Sequence, residues 1–126
     1  MDVLLIEPDV VLAQTYEDAL RRGGHTVRHA RGAQDAVQMS DEKLPDLIIL
    51  EPQLARHNGV ELLYELRSYM EWQNVLVIIL TQLASAALKG NALLSGHLGV
   101  SQILAKSQTS LEQLVRIVDE TGKGSK

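Results

Sequence analysis

Four residues of this 126-residue chain could act together, because each closes an apolar run. Val3-Leu4-Leu5-Ile6 ends in Glu7, and Asp46-Leu47-Ile48-Ile49-Leu50 ends in Glu51. Val75 through Leu80 ends in Thr81, and Ile103-Leu104-Ala105 ends in Lys106. Apolar runs of this length read as buried strands, and open parallel sheets carry their functional groups at the carboxyl ends of such strands. Two acids, a hydroxyl and an amine at those ends form a candidate site. The simplest chemistry they offer is an ion pair between Glu51 and Lys106, since the lysine has no other evident role. The plainer alternative is a solvated acid at a strand end.

Strand and helix patterns alternate five times to hold these residues. Strand one covers about Asp2–Ile6. Helix one covers about Val10–Arg22, with Asp9 as its N-cap and Gly23-Gly24 as its stop. Strand two, Thr26–Ala30, alternates polar and apolar residues, which suits a sheet edge, whereas the continuous runs suit strands covered on both faces. Helix two spans about Ala33–Ser40. Helix three spans about Gly59–Met70, with Leu62, Leu66 and Tyr69 on one stripe. A fourth helical segment lies within Ala84–Ser95, and helix five runs from about Ser110 to Glu120. Five β-α units predict an α/β fold of flavodoxin-like (βα)5 type. Its parallel five-stranded sheet has the order 2-1-3-4-5, with helices on both faces. That order makes strands one and three neighbours, so Glu7 and Glu51 converge at the crevice where the strand order reverses. One domain over residues 1–120 is expected, with residues 121–126 a mobile tail or the start of a linker.

Composition narrows the function. A net charge of −4 argues against direct nucleic-acid binding. The absence of cysteine excludes disulfides, thiol catalysis and a Cys-based zinc site. No apolar stretch reaches the ~18 residues of a membrane span, and Met1-Asp2 enters a strand directly, so no signal peptide is expected. A soluble cytoplasmic domain with an aliphatic core follows, since only Trp72, Tyr16, Tyr64 and Tyr69 are aromatic. His25, His29, His57 and His97 lack metal-ligand spacing and read as surface residues.

With those residues set out, the chain resembles the receiver domain of bacterial two-component response regulators over nearly its whole length. The resemblance implies an acid pair after strand one that holds Mg²⁺, a phosphoacceptor aspartate after strand three, a switch hydroxyl, a lysine and a switch aromatic. Glu7, Thr81 and Lys106 match the first acid, the hydroxyl and the lysine. Pro8 stands where the family has its metal-touching acid, and Asp9 matches a further acidic position. Glu51 replaces the acceptor aspartate, with Ala55 and Gly59 four and eight positions on. Gln82 stands where a small residue is usual, Ile103 where the aromatic is usual, and Ser107 where a proline is usual. A glutamate carboxylate sits ~1–1.5 Å further out than that of aspartate, and a displacement of about 1 Å can cost ~10²-fold in an in-line reaction. Proline offers a metal no side-chain oxygen. The pattern is similar to that of pseudo-receivers, which implies no enzymatic activity, weak or lost Mg²⁺ binding and action through protein partners.

Leu83 through Val100 carries Lys89 as its only formal charge and is too apolar for a helix with one face in water. Such a helix either sinks into its own domain or meets a partner, and Leu83, Leu88, Leu93, Leu94 and Leu98 are expected on a partner surface. Receivers commonly pair on that side, so a homodimer through the fourth helix, strand five and helix five is expected. Three alternatives remain at this point: a receiver that still transfers phosphoryl groups, the regulatory half of a transcription factor, and a flavin-binding flavodoxin. Glu7-Pro8-Asp9 would repel a flavin phosphate.

Overall fold

The computed structural model describes residues 1–54, 58–82 and 98–124. Its elements are β1 (Asp2–Ile6), α1 (Val10–Arg22), β2 (Thr26–Ala30), α2 (Ala33–Glu42), β3 (Leu47–Leu50) and α3 (Gly59–Arg67). A 3-10 turn (Met70–Trp72), β4 (Leu76–Thr81), β5 (Val100–Ala105), a second 3-10 turn (Lys106–Gln108) and α4 (Leu111–Gly124) follow. The strands form one sheet in the order β2-β1-β3-β4-β5, and every pair is parallel. The alternating strand is thus at an edge and the continuous apolar strands are inside, as their patterns require.

Two aliphatic cores flank the sheet. On one face Leu4, Ile6, Ile48, Leu50, Val77 and Ile79 pack under Ala33 and Ala36 of α2 and Leu62, Leu63 and Leu66 of α3. On the other, Val3, Leu5, Leu47, Ile49, Ile78 and Leu80 pack under Ala13, Tyr16 and Leu20 of α1 and Leu114 and Val118 of α4. Successive strand residues point to opposite faces, so β1, β3 and β4 feed both cores. Fully burying one such aliphatic side chain stabilises by roughly 1.5–3 kcal/mol.

Several boundaries depart from the sequence reading. α3 ends at Arg67, and the chain then turns, so Tyr69 leaves the Leu62–Leu66 stripe and is 51% exposed. The C-terminal helix continues past Glu120 to Gly124. There Gly122 lies against Met1, where a Cβ would meet Met1 Sδ at 2.7 Å. Leu98, expected on a partner surface, is fully buried and packs into the α2–α3 core. Leu83, Leu88, Leu93 and Leu94, with the rest of the fourth helical segment, lie outside the described residues, as do Ala55, His57 and His97. No helix among the described residues is long and apolar enough to cross a membrane.

Gly59 fixes the loop that follows Glu51. Its N–H donates to the Pro52 carbonyl at 2.8 Å, and a Cβ there would lie 2.6 Å from Pro52 Cα. Backbone cannot yield as a side chain can, so Gly59→Ala should destabilise the domain by about 1–3 kcal/mol. Gly122→Ala meets only the flexible Met1 side chain, and gains helix propensity, so it should stay within about 1 kcal/mol of wild type. Urea denaturation of both variants measures the contrast; equal losses would remove the steric account.

Candidate functional site

Parallel register carries β1, β3 and β4 to a common edge, where the residue after each strand faces one crevice. Ile6 pairs with Leu50, Leu50 with Ile79, and Thr81 with Ala105. The backbone continues the ladder one step further, because Glu51 N donates to Ile6 O at 3.0 Å and Glu7 N to Ala30 O at 3.0 Å. Glu7 and Glu51 are therefore held by sheet hydrogen bonds, and each is only 2% exposed.

Lys106 closes the site. Its Nζ lies 2.5 Å from Glu7 Oε1 and 3.0 Å from Glu51 Oε1. The expected Glu51–Lys106 pair is present, and Glu7 shares the same ammonium. The remaining carboxylate capacity is taken by backbone amides. Asp9 N donates to Glu7 Oε2 at 3.0 Å, Gln53 N to Glu51 Oε2 at 3.2 Å, and Gln82 N to Glu51 Oε1 at 3.0 Å. Above Glu51, Gln82 Nε2 donates to Gln53 Oε1 at 3.0 Å, joining the loops after β3 and β4. Burial alone would lower the Lys106 pKa, but the hydrogen bonds and charges of Glu7 and Glu51 outweigh it and raise it above its ordinary value.

The other expected site residues have separate places. Asp9 is exposed, and its Oδ1 accepts from Val11 N at 3.0 Å and Leu12 N at 3.1 Å, which caps α1. Its carboxylate therefore serves the helix rather than an acidic pocket. Pro8 sits between Glu7 and this cap. Thr81 is fully buried at the end of β4. Ile103 is partly buried and packs on the α2–α3 core. Two neighbours escaped the sequence reading. Tyr16 on α1 lies within the field of the cluster, and burial pushes its phenol above the ordinary value while Lys106 pulls it back. His29, expected at the surface, has Nε2 2.7 Å from the Glu7 carbonyl and so braces the backbone of the site. His25, also expected at the surface, instead pairs with Asp119 at 2.6 Å, with its side chain 8% exposed. Neither contact leaves a local signal, because the partners lie 22 and 94 positions away along the chain.

Removing one member of a buried charge cluster leaves the others uncompensated, at a cost of about 3–5 kcal/mol. Lys106→Met should destabilise within that range, because it leaves two carboxylates facing each other. Glu51→Gln should cost less, about 1–3 kcal/mol. The double variant should recover part of the sum, a coupling of roughly 1–3 kcal/mol in a denaturation cycle. Additive losses would mean that the groups do not interact. A raised ammonium pKa fixes the sign with pH. The contribution of Lys106 is complete below its ordinary value of 10.5 and is lost as pH rises through the higher folded value. The stability difference between wild type and Lys106→Met should therefore shrink only in strong alkali.

Comparison with known proteins fits this geometry. Residues 3–119 match the family model described as the response regulator receiver domain. The gliding motility regulatory protein of Myxococcus xanthus is 30% identical over 118 residues, which are 93% of this chain and 15% of that protein. The chain spans between 15% and 29% of the length of the curated relatives it matches. The receiver domain of Francisella response regulator 1452 superposes with a TM-score of 0.83 at 25% identity, covering 99% of this chain and 98% of that one. A response regulator receiver domain protein from Methanospirillum hungatei gives a TM-score of 0.85 at 18% identity, covering 98% and 94%, and supports the fold alone. The crevice, the sheet order and the family match agree: this chain belongs to the response regulator receiver domain family.

Proposed function

We propose that this receiver works without phosphorylation, as a protein-binding signalling module of pseudo-receiver type in the cytoplasm, and not as an enzyme. The observation that carries the reading is the Lys106 ammonium bound by both Glu7 and Glu51. A phosphoryl group would have to displace Glu51 from Lys106 and from the Gln82 amide at once. The side chains of Gln82 and Gln53, whose backbone amides both hold that carboxylate, are also joined to each other.

The donor set does not fit Mg²⁺. That ion requires a tight octahedron of oxygen ligands. Each carboxylate oxygen of Glu7 and Glu51 already accepts from Lys106 or a backbone amide. Asp9 is turned to its helix cap, and Pro8 brings no side-chain oxygen. No group of three or more acidic or histidine ligands with metal geometry occurs among the described residues. A second reading, the receiver of a larger regulator that still transfers phosphoryl groups, is favoured by the retained Thr81 and Lys106. It is also favoured by relatives named transcriptional regulatory proteins, of which this chain covers only a part.

Acetyl phosphate with Mg²⁺ separates the two. Intact-mass measurement should show no phosphoryl adduct on residue 51, and phosphate release should stay at the uncatalysed rate. Glu51→Asp alone should remain silent, and adding Pro8→Asp should restore at least Mg²⁺ binding. An adduct on the wild-type chain, or efficient phosphorylation of the single variant, would contradict the proposal.

Without a phosphorylation switch, association with partners should be constitutive. We expect a homodimer through the fourth helical segment and its neighbours, with Leu88 and Leu93 as candidate contacts; Leu98, being buried, is not one. Light scattering should show a dimer that a charge at Leu88 or Leu93 converts to a folded monomer. A wild-type chain monomeric at high micromolar concentration would rule this surface out as a self-contact.

A further inference from the structure

The groove between α2 and α3 shares no lining residue with the Lys106 cluster. It encloses about 530 Å³. Its floor is Ala33, Val37 and Leu62, and its walls carry Asp41 from α2 with Glu61 and Glu65 from α3. Among the described residues, no lysine or arginine lines it.

Its charge is unbalanced by construction. Glu61 and Glu65 stand four apart on α3, and like charges at that spacing oppose helix formation. Elsewhere Glu17 meets Arg21, Asp2 meets Arg28 and Lys43, and Asp119 meets His25. Among the described residues, no ion pair involves Asp41, Glu61 or Glu65. These three carboxylates face an open groove, are exposed, and have a partly exposed valine between them. An apolar floor between two walls of unneutralised acid complements a helix with one apolar ridge flanked by cations. The spacing agrees, because Glu61 and Glu65 are about one helical turn apart, which is the spacing of cations at i and i+4 on a partner helix.

We propose that the α2–α3 groove is a docking site for a cationic amphipathic helix of a protein partner. An apolar side chain of that helix enters between Val37 and Leu62, and its lysines or arginines pair with Glu61, Glu65 and Asp41. This surface shares no lining residue with the Lys106 cluster, and its test does not involve phosphorylation.

The probe is a fluorescein-labelled amphipathic peptide of Lys and Leu, with a Glu/Leu peptide of equal length as its control. Both are titrated by anisotropy against the full chain. The Lys/Leu peptide should bind saturably, weaken as salt rises because exposed charge pairs are screened, and shift amide signals of α2 and α3 in NMR. The Glu/Leu peptide should not bind. Glu61→Lys with Glu65→Lys should weaken binding at least tenfold, on the order of the loss of two screened ion pairs and their groove. Val37→Asp, which keeps the acidic walls, should weaken it too. Glu112→Lys with Glu120→Lys, on the opposite side of the sheet, should change it less than about twofold. Absence of saturable binding would overturn the proposal. So would equal losses from the two charge reversals, which would mean attraction to overall negative charge, or NMR shifts centred on another surface.

Discussion

One ammonium shared by two buried carboxylates sets the character of this site. Taking charges out of water is costly, and a cluster like this persists only when partners fill the remaining hydrogen-bonding positions. Here the sheet supplies them. Glu7 and Glu51 extend the strand ladders through their own amides, and three further backbone amides complete their carboxylates. Lys106 then joins the ends of β1, β3 and β5, two of which are not neighbours. The site is thereby a structural tie across the mouth of the sheet.

The fold places the site residues independently of the chemistry they carry. Aliphatic packing on both faces dictates where the strands end, and hence where residues 7, 51, 81 and 106 sit. What those residues do once there depends on reach. The longer side chain of Glu51 contacts Lys106 and the Gln82 amide together. Pro8 brings no side-chain carboxylate to the cluster. Asp9 is drawn away by the free amides at the start of α1. In the arrangement described, these side chains satisfy one another and the nearby amides.

Much of this was legible in the residues. Continuous runs against one alternating strand predicted the sheet order, because burial on two faces and on one face leave different periodicities. The Glu51–Lys106 pair followed from both residues closing strands. The share taken by Glu7 did not, since β1 and β5 are three strand spacings apart, about 14 Å, and only two long side chains bending inward close that gap. Tyr69 misled because a helical period does not report where a helix turns out of register. Gly122 hid the length of α4, since the close approach of Met1 is a contact across the whole chain. Leu98 looked like surface because it ends an apolar segment. Arg67 holds that point of the fold, donating to the Leu98 carbonyl at 2.9 Å and to the Trp72 carbonyl, so the leucine is drawn into the core. Burial lowers the pKa of that guanidinium. The pairing of His25 with Asp119 links positions 94 apart and leaves no trace in local pattern.

In the proposed reading, Lys106 holds both carboxylates in place of a divalent cation. The most direct measurement is the ¹⁵N–¹H NMR signal of the Lys106 ammonium, assigned with Lys106→Met and followed while Mg²⁺ is raised into the millimolar range. The signal should be protected from exchange with water and unmoved by the metal. A signal that shifts saturably or is lost to exchange as Mg²⁺ rises would mean that the metal displaces the lysine, and that the pocket is open to the chemistry of its family.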